Sequence, residues 1–123
     1  MIPGELDDLP ALGISAERRI DLGFICGLVQ DEVSREAAGH GICVNDVFKG
    51  AMSSPYLKTE GERIMVAGTL AYALAGGLWV TLLTHHKASR FELQRKHPDI
   101  SLEEEMARYR EIVRDELARG ARK

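Results

Sequence analysis

The chain has 123 residues, 45% of them hydrophobic and 28% charged, with a formal net charge of −3. That length supplies the core of one compact domain and not of two, the composition excludes wholesale disorder, and no overall positive field is present to recruit nucleic acid. The charge is uneven: residues 1–63 carry six Lys or Arg against eleven Asp or Glu, whereas from Thr84 onward ten basic residues stand against eight acidic ones.

Residues 1–14 read as an extended arm, because Pro3, Gly4, Pro10 and Gly13 interrupt any periodicity. Its Ile2, Leu6, Leu9, Leu12 and Ile14 are apolar, so the arm is expected to lie against the body. The opening "MIPGELDDLP" is acidic where a secretory leader is basic and then apolar. Cys26 and Cys43 form no C-x-x-C pair, so a reduced, cytoplasmic setting is expected.

The first helix is expected over 15–38, with Ser15 as N-cap, Glu17 in the first turn, and "GHG" (Gly39 to Gly41) as the stop. Leu22, Ile25, Val29, Val33 and Ala37 recur at three and four residues and mark the buried stripe. Gln30, Asp31, Ser34 and Arg35 mark the polar side. A short helix over 45–52 follows, capped by Asn45 or Asp46. It ends at "SSP", where Pro55 has no amide to donate and biases Ser54 away from helix.

Thr59 and Glu62 form a T-x-x-E capping box ahead of a long helix expected over 59–96, with a break near residue 86. Within it "IMVAGTLAYALAGGLWVTLL", Ile64 to Leu83, runs twenty residues without a charge, long enough for a membrane span. Nine of those twenty are Ala, Gly or Thr, which contribute little transfer free energy because burial scales with apolar area. Ala67, Ala71 and Ala75 lie four apart, with Gly68 and Gly76 beside them, and the first helix carries Gly23 and Gly27 at the same spacing. Such strips let helix backbones approach closely, so the two helices are expected to pack together or against symmetry mates. A soluble helix buried at the centre of the domain is the reading adopted. The alternative is a single-pass subunit of an inner membrane, spanning about Ile64–Leu83.

Ser101 and Glu104 open the last helix, expected over 102–118 with Leu102, Met106, Tyr109, Ile112, Val113 and Leu117 as its apolar stripe. Residues 15–119 thus form one helical domain, and residues 120–123 a basic tail.

Catalytic and cofactor signals are weak. His40, Cys43, Cys26, His85 and His86 fall on three different elements, which does not make the convergent set a zinc site requires. Cys43 near His40 lacks a following oxyanion turn, and there is neither a Walker nor a dinucleotide fingerprint. No metal, cofactor or catalytic residue is therefore expected.

The tetrapeptide "KHPD", Lys96 to Asp99, joins a basic helix to the helix containing "RYREI" and resembles the His-Pro-Asp turn of J-domain co-chaperones. The resemblance covers about thirty residues. It implies His97, Pro98 and Asp99 as the active loop and Lys87, Arg90, Arg95 and Lys96 as the face that docks a heat-shock chaperone ATPase. The chain departs from that family at Ala88, Glu92 and Lys96, where its apolar seam runs, and at Asp115 and Glu116.

The expectation is an all-α bundle of about four helices around a buried, small-residue-rich central helix. Its function is expected to be binding: a non-enzymatic regulatory, inhibitory or adaptor protein, itself a homodimer. The candidate contacts are Tyr56, Leu57 and Lys58 in the "SSPYLK" loop and Arg108, Arg110, Glu111 and Arg114 on the last helix, since Tyr and Arg most often anchor interfaces.

Overall fold

The structure, a computed structural model, describes residues 13–37 and 40–121; most of the expected arm and residues 122–123 of the expected tail lie outside the described residues, while Gly120 and Ala121, expected in the tail, continue the last helix. The fold is all-α. Among the described residues it has no strand and five helices: α1 (Ala16–Glu36), α2 (Val44–Ser53), α3 (Glu60–Ala75), α4 (Trp79–Lys96) and α5 (Leu102–Ala121).

Local capping explains where each begins. Ser15 Oγ accepts the Arg18 amide at 3.1 Å, Thr59 Oγ1 accepts the Glu62 amide at 3.1 Å, and Ser101 Oγ accepts the Glu104 amide at 3.1 Å. α2 is capped from within, the Asp46 carboxylate accepting the Cys43 amide at 2.9 Å. That bond, helped by the Cys43 side chain and by His40 and opposed by desolvation, holds the Asp46 carboxyl below the ordinary range. The Thr59 box is not reciprocal, because Glu62 Oε1 takes the Lys58 amide at 2.9 Å and the carboxylate also holds Arg18.

The long helix expected over 59–96 is two helices, and the break falls at residues 76–78, not near 86. Gly77 sits at φ 75, its amide donates to Leu74 O at 3.3 Å, and the Leu78 amide reaches back to Ala73 O at 2.9 Å. This pair of bonds across a left-handed glycine ends a helix by satisfying its last carbonyls, a Schellman motif. α3 and α4 meet there at 119°. Among the described residues no single helix is long and apolar enough to cross a membrane; α3 and α4 reach that mark only as a bent pair.

α1 touches each of the other four helices. Leu22, Ile25, Val29 and Val33 on α1 pack with Val47 and Ala51 of α2, Val66, Ala67 and Leu70 of α3, and Ile14, Leu57 and Trp79. Gly50 brings α2 close, since a Cβ there would overlap Val33. Gln30 and Ser34, assigned to the polar side from the sequence, instead face α4. The Gln30 side chain is buried and donates to Trp79 O at 2.6 Å, and Trp79 Nε1 donates to Ser34 Oγ at 3.0 Å.

Past that tryptophan, burial nearly stops. Among the described residues, Trp79 is the one buried member of α4, and Glu105 the one buried member of α5.

Candidate functional site

α4 and α5 straddle α1 as the two arms of a hairpin turned at His97–Ser101, where the Ile100 amide bonds His97 O at 3.0 Å. What seats them is the pair Gly23 and Gly27. A Cβ on Gly23 would lie 2.6 Å from Tyr109 Oη, and one on Gly27 would overlap the His86 ring. The small-residue strip of α1 therefore receives side chains from α5 and α4, and not the backbone of α3. Between the two glycines Phe24 meets both rings, with centroid separations of 5.6 Å to His86 and 5.7 Å to Tyr109.

Ion pairs complete the attachment. Arg90 grips the buried Glu105 carboxylate through two bonds of 2.9 and 2.8 Å, with Gln94 at 3.4 Å. Arg110 grips the buried Asp21 at 2.8 and 3.0 Å, and Arg114 lies 2.9 Å from Glu17. A bidentate guanidinium–carboxylate pair fixes orientation as well as distance.

Between the arms lies a groove of about 660 Å³, floored by Gly23, Phe24, Cys26 and Gly27 and walled by Leu82, His86, Leu93, Tyr109 and Ile112. Three of its ionisable groups, Cys26, Tyr109 and His86, are biased toward their neutral forms. Burial pushes the Cys26 thiol up to about 12, and burial raises Tyr109 as well. Burial, reinforced by the Arg90 guanidinium, lowers the His86 imidazole, whose enclosed Nε2 has no hydrogen-bond partner. On the far side of the Arg90–Glu105 tie a second, polar cleft is lined by Asp31, Glu32, Arg35, Ser54 and Tyr56.

α4 has another apolar side. At 100° per residue, Val80 and Phe91 share a face about half a turn from Leu82, His86 and Leu93. Val80 is 73% exposed, Phe91 69%, and Tyr72 at the end of α3 78%.

The residues singled out from the sequence divide. Tyr56 is exposed and its carbonyl accepts Arg18 at 3.0 Å, whereas Leu57 is core and unavailable to a partner. The loop closes over the α1–α3 core and needs one apolar plug, which is Leu57. Lys58, Arg108 and Glu111 are exposed, but Arg110 and Arg114 are engaged by α1. Of the packing strip on the long run, Ala67 is buried and Ala71 half-buried, while Gly68, Ala75 and Gly76 are exposed, with open space around Gly68. His97, Pro98 and Asp99 form an exposed turn, but Ala88, Glu92 and Lys96 are exposed too, so no apolar seam joins the arms there. Among the described residues no three His, Cys, Asp or Glu side chains are placed to hold a metal ion. His40 pairs with Asp46 at 3.6 Å.

Comparison of this chain with family models, with curated proteins and with solved structures finds no match.

Proposed function

We propose that this chain is a binding protein, not an enzyme, that works as a regulator or adaptor through protein–protein contacts, and that its first partner is a second copy of itself. The single observation that carries the reading is the set of large apolar side chains left exposed at the α3–α4 elbow and along the outer side of α4. Tyr72, Leu78, Val80 and Phe91 together expose on the order of 500 Å² of apolar side chain. That is at the upper end of what an ordinary monomer leaves open, and most of the ~800 Å² that each partner contributes to a standard interface.

The chemistry of the remaining surface fits binding better than catalysis. The thiol of Cys26 is held far above neutrality, and Arg18, Arg90 and Arg110 are each tied to a carboxylate. A nucleophile needs the opposite treatment, a lowered pKa or a base beside it.

Sedimentation equilibrium of the wild-type chain and of a Val80→Glu/Phe91→Glu variant tests the proposal. The wild type is expected at twice 13.6 kDa and the variant at a single chain mass with unchanged helicity. A wild-type chain that stays monomeric at about 100 μM contradicts it, since interfaces of this size usually reach micromolar affinity or better.

A further inference from the structure

We propose that the groove between α4 and α5 is a binding site for one uncharged, elongated apolar molecule with an aromatic or polyene body, separate from the face that joins two copies.

The volume of about 660 Å³ falls in the range of sites that enclose a small organic ligand. Gly23 and Gly27 let the Tyr109 and His86 rings sit directly against α1, so these rings, with Phe24 and Cys26, line the groove. Phe24, His86 and Tyr109 are packed against one another at 5.6 and 5.7 Å and together give the groove an aromatic lining, against which an apolar ring can pack from the open side. Leu82 and Ile112 line the apolar end.

Charge decides the ligand class. The cations at the other end already have partners, Arg90 on Glu105 at 2.8 Å and Lys96 on Glu92 at 3.6 Å. An anionic ligand would have to break the Arg90–Glu105 pair and strand a buried carboxylate, which is costly, or settle for the solvated Lys96, which adds little. A cationic ligand meets the same objection at Glu105. The lining thiol, imidazole and phenol favour their neutral forms near pH 7, and a neutral body leaves the Arg90–Glu105 pair at the groove's edge intact.

The helix geometry separates this site from the proposed dimer face. Leu82 and Ile112 line the groove, whereas Val80 and Phe91 point about half a turn away around α4. A variant on either side therefore reports on one site alone.

The test is a fluorescence titration with the neutral dye Nile red, run on the wild type, on Ile112→Glu, and on Val80→Glu/Phe91→Glu. Ile112 is largely exposed, so its replacement leaves the helices in place, as circular dichroism will verify. Expected are saturable binding of one dye per chain, at least a tenfold loss of affinity in Ile112→Glu, and no change in the outer-face variant. A sulfonated naphthalene dye should bind the wild type at least tenfold more weakly than Nile red. The proposal is overturned by non-saturating dye uptake, by affinity lost only in the outer-face variant, by preference for the anionic dye, or by an Ile112→Glu chain that turns monomeric. The last result would make the groove a subunit interface. Failure of the dimer proposal leaves the titration unaffected.

Discussion

The two halves of this molecule are held together by different physics. In α1–α3, Leu22, Ile25, Val29, Val33, Val47, Val66 and Leu70 interlock with almost no exposure, and the Arg18–Glu62 ion pair adds a cross-link of charge between α1 and α3. In α4–α5 one tryptophan is buried, and the attachment is made by the half-buried rings of His86 and Tyr109 on Phe24 together with polar ties: Arg90–Glu105, Arg110–Asp21 and the bond from Gln30 to Trp79. Apolar burial is non-directional and resists local opening, whereas a few polar ties hold an arm in one orientation and release it when one breaks. The lesson is about placement: the half that leaves apolar surface bare is the half least anchored by it.

That contrast can be broken from either side. Leu70→Ala removes a fully buried side chain and should cost about 3–4 kcal/mol in urea unfolding. Leu93→Ala, in the half-buried groove wall, should cost under about 1 kcal/mol. Equal losses would erase the distinction. Next in size is Arg90→Ala, which strands the Glu105 carboxylate with only Gln94; about 2 kcal/mol should be lost, accompanied by faster amide exchange in α5 and not in α2. Gly27→Ala should follow at about 1–3 kcal/mol, because the new methyl displaces the His86 ring and pushes α4 off α1. Gly68→Ala points the other way. It sits within helix α3 in open space, so it should stabilise by about 0.5–1 kcal/mol, read as a raised Tm.

The smallest expected effect is on pH dependence. The folded His86 pKa is lowered by burial and by Arg90, against weaker pulls from Asp31 and Glu105, while the unfolded value is about 6.5. As pH falls below that value the unfolded chain takes the proton first, so stability is full above about 6.5 and declines toward the lowered folded pKa. A His86→Gln variant should lose less Tm between pH 7 and about pH 5 than the wild type. Glu62, lowered chiefly by its bond from Arg18, works in the same direction at more acid pH.

Much of this architecture is legible in the residues. Ser15, Thr59 and Ser101 announce three helix starts, and the stripe Leu22, Ile25, Val29 and Val33 announces the face of α1 that the core uses. The elbow was harder to see. Gly76–Gly77–Leu78 has the residues of a left-handed helix end, but within an uncharged run the same glycines also fit a close-packing strip, and periodicity cannot separate the two. The buried polar residues were illegible for another reason. Gln30 and Asp21 look like solvent-facing positions until partners 49 and 89 residues away arrive, and no local spacing encodes those distances. For the groove, Gly23 and Gly27 were the visible signal, and what the sequence could not say was that rings of α4 and α5, not α3, would occupy them.

The most direct test of this division is residue-resolved amide hydrogen exchange on the Val80→Glu/Phe91→Glu variant, in which the proposed second copy would not shield α4. Amides of α4 and α5 beyond Trp79 should exchange through openings well below the global unfolding free energy, while those of α1–α3 exchange only with global unfolding. If α4 and α5 exchange as slowly as α1, the polar ties are not what holds them, and the account is contradicted.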